Sequence, residues 1–150
     1  MMKRLTLLFS LLMLLTPAYS VDRLLMARTE QAFPEAMLKL QETIKKHGYT
    51  VSRVQRVDIG LTQFGYETDK YRVVFFGKAE EIRRMSSEYP QLIPYLPLKI
   101  AIFAEEEDTL MVSFSPLQLM ETDEPELNSV LENWTADLQA MLADMRNDNE

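Results

Sequence analysis

The chain has 150 residues, with 16 Lys and Arg against 23 Asp and Glu, one histidine and no cysteine. The lack of cysteine excludes disulfides, iron–sulfur clusters, thiolate zinc and a cysteine nucleophile. The acidic balance argues against nonspecific nucleic-acid binding, which needs basic groups to neutralise phosphates.

Residues 1–20, MMKRLTLLFSLLMLLTPAYS, read as a signal peptide. Lys3 and Arg4 open it, Leu5 to Leu15 supply the apolar stretch, and Ala18-Tyr19-Ser20 has the small-x-small form of a cleavage site. The apolar stretch is short for a bilayer span, which takes about 20 residues. The expectation is a periplasmic or secreted bacterial product, cut after Ser20 and without a stable membrane anchor afterwards. Cleavage removes two bases and no acid, leaving 14 basic and 23 acidic residues, a charge of −9. That disfavours docking on an anionic membrane surface. Residues 21–150 contain no linker or repeat, and about 130 residues are enough for one domain with its own core.

Leu24 to Arg28 reads as a first strand. A helix follows over FPEAMLKLQETIKKHG, where Phe33, Met37, Leu40 and Ile44 share one face. Pro34 suits its first turn, and Gly48 its end, after Lys45, Lys46 and His47. A second strand runs from Tyr49 to about Val57, and Gly60 and Gly65 punctuate the connection after it. YRVVFFG is the clearest strand, from Tyr71 to Phe76, ended by Gly77. A shorter helix spans Ala79 to about Ser87, with Ile82 and Met85 inward. The prolines of YPQLIPYLP prevent its continuation. LKIAIFAE alternates Leu98, Ile100, Ile102 and Ala104 against Lys99, Ala101 and Phe103, and TLMVSFS is its partner strand. The acids Glu105 to Asp108 fall at the turn between them, where water solvates them. A last helix carries the stripe Leu127, Leu131, Trp134, Leu138, Met141 or Leu142, and Met145. Asp123 and Glu126 have capping-box spacing at its start, with Pro125 in the first turn. The order β-α-β-β-α-β-β-α implies an α+β fold, a mainly antiparallel sheet with helices packed on one face.

This order, with GYTVSRV after the first helix, YRVVFFG, LPLKIAIFAE and MVSFSPLQL, resembles the domain of unknown function 302 family. The likeness runs from about Leu24 to the end of the chain. Its marks are the glycine after the helix, the Leu96-Pro97 pair entering a strand and the Ser115-Pro116 step after the next. The resemblance implies a compact α+β domain, able to dimerise, and no particular reaction. Many members have cysteine after the Leu-Pro pair, where this chain has Leu98, so a thiol-based role is not carried over.

The chemical inventory is thin. His47 is the sole histidine and sits at a helix end, where an imidazolium complements the dipole. With one histidine and no cysteine, neither a catalytic triad nor a conventional zinc site is available. Thioethers suit Cu(I), but Met37, Met141 and Met145 lie on apolar helical stripes, where packing is the default. No glycine-rich phosphate loop, nucleophile elbow or HExxH occurs. The sequence therefore names no catalytic residue, metal or cofactor.

A soft binding surface remains. Arg72 alternates against Tyr71 and Val73, Lys99 alternates in its own strand, and Tyr95 lies in the proline-rich approach to that strand. If one sheet face is free of helices, these three ring a site for an anionic small molecule or a protein partner. Solvated strand residues are the plainer explanation, since antiparallel sheets commonly show a polar face. The leading expectation is an exported, non-enzymatic binding or accessory domain, with a homodimer burying sheet surface as one form. The alternative is a periplasmic hydrolase using carboxylates such as Asp58 or Glu67.

Overall fold

The computed structural model describes residues 23–120 and 122–146, and the expected leader and its cleavage site lie outside them. Five strands form one antiparallel sheet: β1 (Leu24–Thr29), β2 (Thr50–Arg56), β3 (Tyr71–Gly77), β4 (Leu98–Glu105) and β5 (Asp108–Phe114). Their order across the sheet is β1-β5-β4-β3-β2, so β4 is central. Edge strand β2 is bulged between Val51 and Arg53, a device that disrupts pairing with a further strand.

Period-two alternation decides which side chains the sheet buries. Ala27 and Thr29 of β1, Val74 and Phe76 of β3, Leu98, Ile100 and Ile102 of β4, and Thr109, Met111 and Ser113 of β5 are buried. The pairing register puts all of them on one face. Two helices supply most of the other half of the core, α1 (Phe33–Lys46) and the long C-terminal α5 (Pro125–Arg146), with Met85 and Leu92 added from the segment between β3 and β4. The α+β fold with helices packed on one face is as the sequence implies.

α1 buries Phe33, Ala36, Leu40, Thr43 and Ile44, while Met37 is only partly covered. It ends as the sequence suggests. Gly48 adopts φ +82°, and the Tyr49 amide donates to the Ile44 carbonyl at 3.2 Å. This closure satisfies carbonyls that the helix itself leaves unpaired. α5 buries the whole stripe of Leu127, Leu131, Trp134, Leu138, Met141, Leu142 and Met145. A fully buried Leu or Met side chain contributes about 1.5–3 kcal/mol, so this stripe is a main source of stability.

Three short elements occur where the sequence suggested only connections: α2 (Val57–Gln63), a 3₁₀ turn over Pro90–Tyr95, and α4 (Pro116–Leu119). α2 buries no side chain fully, which explains why it left no apolar stripe in the sequence. The helix expected after Gly77 is α3 (Ala79–Glu88), with Met85 buried and Ile82 partly so. Ile82 occupies the space of the Cβ that Gly77 lacks: a Cβ there would lie 2.1 Å from its terminal carbon. At the start of α5, the Thr122 hydroxyl accepts from the Glu124 amide, and Glu126 bonds to Arg84.

The acidic turn is more than solvated. Glu106 takes φ +55° at its tip, while Arg28 from β1 bonds both Glu105 and Asp108, the latter at 2.9 Å. These side chains stay substantially exposed, so the contact adds little stability.

The indole of Trp134 is buried, and its Nε1 donates to Glu81 of α3 at 2.9 Å. Trp134→Ala should therefore cost about 3–5 kcal/mol, while Glu106→Ala at the exposed tip should change stability by under about 0.5 kcal/mol. Chemical denaturation of both variants, with fluorescence quenching of the wild type, checks this. A freely quenched indole whose loss leaves the midpoint unchanged would refute the anchoring role.

Candidate functional site

α1 and α5 cover one face of the sheet, and the opposite face carries three rows of side chains fixed by the register. In the first row Leu24 pairs with Phe114, and Lys99 pairs with Phe75, which pairs with Arg53. In the second, Met26 pairs with Val112, Val112 with Ala101, and Ala101 with Val73. In the third, Arg28 pairs with Leu110, Leu110 with Phe103, and Phe103 with Tyr71. None of these side chains is fully buried, and Leu24 and Met26 are 56% and 45% exposed.

This chemistry is unusual for a sheet face without helices. An antiparallel sheet covered on one side normally alternates apolar inward and polar outward. Here YRVVFF, IAIF and LMVSF are apolar in both parities. Among the described residues no helix covers the outward side chains Phe75, Phe103, Val73, Leu110 and Val112, whereas Phe114 at the end of its row is partly buried against the core beside Tyr95, Leu119 and Met120. Ala101, the smallest of the set, lies mid-face on the central strand between Val73 and Val112. It leaves a shallow floor flanked by larger side chains.

Lys99 is the cation nearest the middle of this surface, with Arg53 on the edge strand and Arg28 at the far end. Its Nζ lies 5.6 Å from the centroid of Phe75 and 6.0 Å from that of Phe114. Tyr95 stands beside Phe114, with ring centroids 6.2 Å apart. No carboxylate among the described residues bonds to the Lys99 ammonium. Burial between the rings pushes its pKa below the ordinary lysine value, with no opposing charge to raise it.

Lys99 and Tyr95 thus come together, through Phe114. Arg72 does not join them. It pairs with Ile102 in register and stands on the helix-covered face. Its guanidinium lies 5.8 Å from the Phe33 centroid and bonds both Asp58 of α2 and the Tyr71 carbonyl. The anticipated ring of three therefore divides between two faces.

A family model described as "Domain of unknown function DUF302" matches residues 26–145. The chain belongs to the DUF302 family. The crystal structure of an uncharacterized conserved DUF302 protein from Bacillus stearothermophilus superposes with a TM-score of 0.73 at 20% identity. The match covers 83% of this chain and 98% of that one, and at this identity it speaks for the fold. No curated protein matches the chain. The matched span of the DUF302 domain includes both the open face, from Met26 onward, and the helical layer.

The carboxylates weighed for hydrolysis take different places in the DUF302 domain. Asp58 is held by Arg72, and both side chains are mostly buried, at 16% and 14% exposure. That bond holds the Asp58 carboxyl below its ordinary range. A carboxylate so stabilised is a poor proton carrier near neutral pH. Glu67 is exposed, beside Thr62, Thr68 and Asp69 in a shallow hollow. His47 bonds Asp144 at 2.9 Å, joining the ends of α1 and α5, and this keeps the Asp144 carboxyl low. Among the described residues no group of three or more His, Asp and Glu is placed to hold a metal ion.

Sequence parity alone could not assemble the open face, because parity is relative within each strand. The available signal was the double apolar parity of β3, β4 and β5, together with helices enough for only one face.

A depressed carboxylate pKa contributes stability above the unfolded value and loses it as pH falls toward the folded one. Asp58→Asn should therefore lower stability at pH 7 by about 1–3 kcal/mol. Its deficit should begin to shrink once pH falls below about 4, where Asp58 of the unfolded chain takes up a proton, and should disappear only below the lower pKa of folded Asp58. Urea denaturation of both proteins across pH checks this; a deficit constant down to acid pH would show that the ion pair is not the cause.

Proposed function

We propose that this DUF302 protein is an exported, non-enzymatic binding or accessory domain that works through the open face of its sheet. The observation carrying this reading is the apolar character of that face in strands whose other parity already fills the core. An uncovered apolar surface in a soluble domain generally marks a binding site. The leader sequence MMKRLTLLFSLLMLLTPAYS supports export, because it has the charge, length and cleavage pattern of a secretory signal. Among the described residues no helix is long and apolar enough to cross a membrane.

The non-enzymatic part rests on the reactive groups. The chain has no cysteine, its one histidine is bonded to Asp144, and Asp58 is tied to Arg72. Each such group has a structural partner away from the open face. The face itself offers apolar area, aromatic rings, the Lys99 ammonium and, at its margins, Arg53 and an Arg28 tied to Glu105 and Asp108, a set suited to holding a molecule rather than transforming it.

Expression of the full chain, extraction of the periplasm and mass spectrometry of the product test both parts. The intact mass should correspond to a chain beginning at Val21. The native spectrum should carry an added apolar molecule or a bound partner protein. A product retaining Met1 in the periplasm would contradict the leader assignment. A bare chain that gains nothing from an extract of the same cells would contradict the binding role.

A further inference from the structure

The open face is asymmetric along the strands, and its asymmetry specifies an occupant. At one end Lys99 presents an ammonium between Phe75 and Phe114. Along β4 the surface then drops to Ala101, flanked by Val73 and Val112, and rises again at Phe103, whose ring meets Tyr71 edge-on at 6.0 Å. Beyond Phe103 the face ends at Glu105, held by Arg28. The first and third rows are four residues apart, about 13 Å along a strand. A cation at one end, an apolar trough and a closed polar end are complementary to a molecule with one acidic head and one apolar tail.

We propose that the open face binds a free, single-chain anionic amphiphile, its acid on Lys99 and its tail along β4 over Ala101 toward Phe103. This inference rests on the reading of the open face as a binding surface.

Charge decides against the competing occupants. A second copy would seal Lys99 in an apolar interface without a carboxylate. Glu105 and Asp108, the acids at the far end of this face, are already held by Arg28, and burying an unpaired ammonium is strongly unfavourable. A neutral lipid would leave the same ammonium desolvated. An anionic bilayer would have to approach a mature chain with 14 basic and 23 acidic residues. A single amphiphilic anion neutralises Lys99 and covers the apolar rows without meeting the rest of the acidic surface. Its carboxylate would also reverse the burial penalty that depresses Lys99.

The probes are laurate, dodecyl maltoside and dodecyltrimethylammonium, each below its critical micelle concentration, titrated calorimetrically into the mature chain. Laurate should bind at one per chain and at least about tenfold more tightly than the neutral or cationic probe, as one charge-assisted contact implies. Lys99→Met keeps the stem and removes the charge. It should weaken laurate about tenfold, to the level of the maltoside, and leave the denaturation midpoint near wild type. Lys99→Arg should retain laurate preference.

Equal binding of the three probes, or a Lys99→Met protein that binds laurate like wild type, would overturn the anionic assignment while leaving the open face a binding surface. Failure of all three probes would overturn the amphiphile, and the native mass spectrum of periplasmic protein would then judge the broader reading separately. A dimer that excludes laurate would replace the ligand with a second copy. Sedimentation with phosphatidylglycerol vesicles would replace the free molecule with a lipid surface.

Discussion

The packing of α5 and α1 onto one face of the sheet is the constraint from which the other features follow. α5 delivers seven apolar side chains to that interface, from Leu127 to Met145. Polar contacts fix its angle and register. Tyr49 donates to Asp137 at 2.5 Å, His47 meets Asp144, Trp134 donates to Glu81, and the Leu117 amide donates to the Thr135 hydroxyl at 3.1 Å. Arg146 closes the far end on the Met26 carbonyl. The Tyr49 hydroxyl, buried and bonded to a carboxylate, has its pKa pushed well above the ordinary tyrosine value, so it remains a donor. A helix held by a continuous apolar stripe and by hydrogen bonds along its length has one seat on the sheet.

One seat for the helices means one covered face. Strands β3, β4 and β5 nevertheless carry apolar side chains on both faces, a pattern usual for sheets covered on both sides. The outward rows are then either a cost to solubility or a surface reserved for something else. The placement of Lys99 favours the second. A lysine introduced only to keep an exposed face soluble would extend into water, whereas this one lies between two phenylalanines and is partly desolvated. Stacking there orients the ammonium and leaves its hydrogen bonds available to a ligand.

Much of the architecture was legible in the sequence because the signals are local. The alternation of LKIAIFAE, the 3.6-residue stripe around Trp134 and the glycine closing α1 each depend on neighbours a few positions away. α2 was not legible, because Val57 and Ile59 suit a strand, Gly60 weakens a helix, and no side chain in it is fully buried. The open face was half legible. Alternation along β4 points to Lys99 and the flanking prolines to Tyr95, and the structure places both beside Phe114. Arg72 was grouped with them because its parity opposes Tyr71, yet only the pairing of β3 with β4 reveals that it opposes Ile102 on the helical side. The role of Arg28 was illegible for the same reason, since β1 reaches the acidic turn only through its pairing with β5. Long-range register is the information a single sequence withholds.

The natural absence of cysteine makes the central claim, one covered face and one open face, directly measurable. A single cysteine placed at Ala101 would report on the middle of the open face, and one at Ala36, which has no exposed surface, on the helical interface. Under native conditions a maleimide should modify the Ala101→Cys protein at a rate approaching that of the unfolded chain. The Ala36→Cys protein should react only through unfolding. Protection of Ala101→Cys equal to that of Ala36→Cys in the ligand-free protein would show that the second face is covered, and would contradict the account.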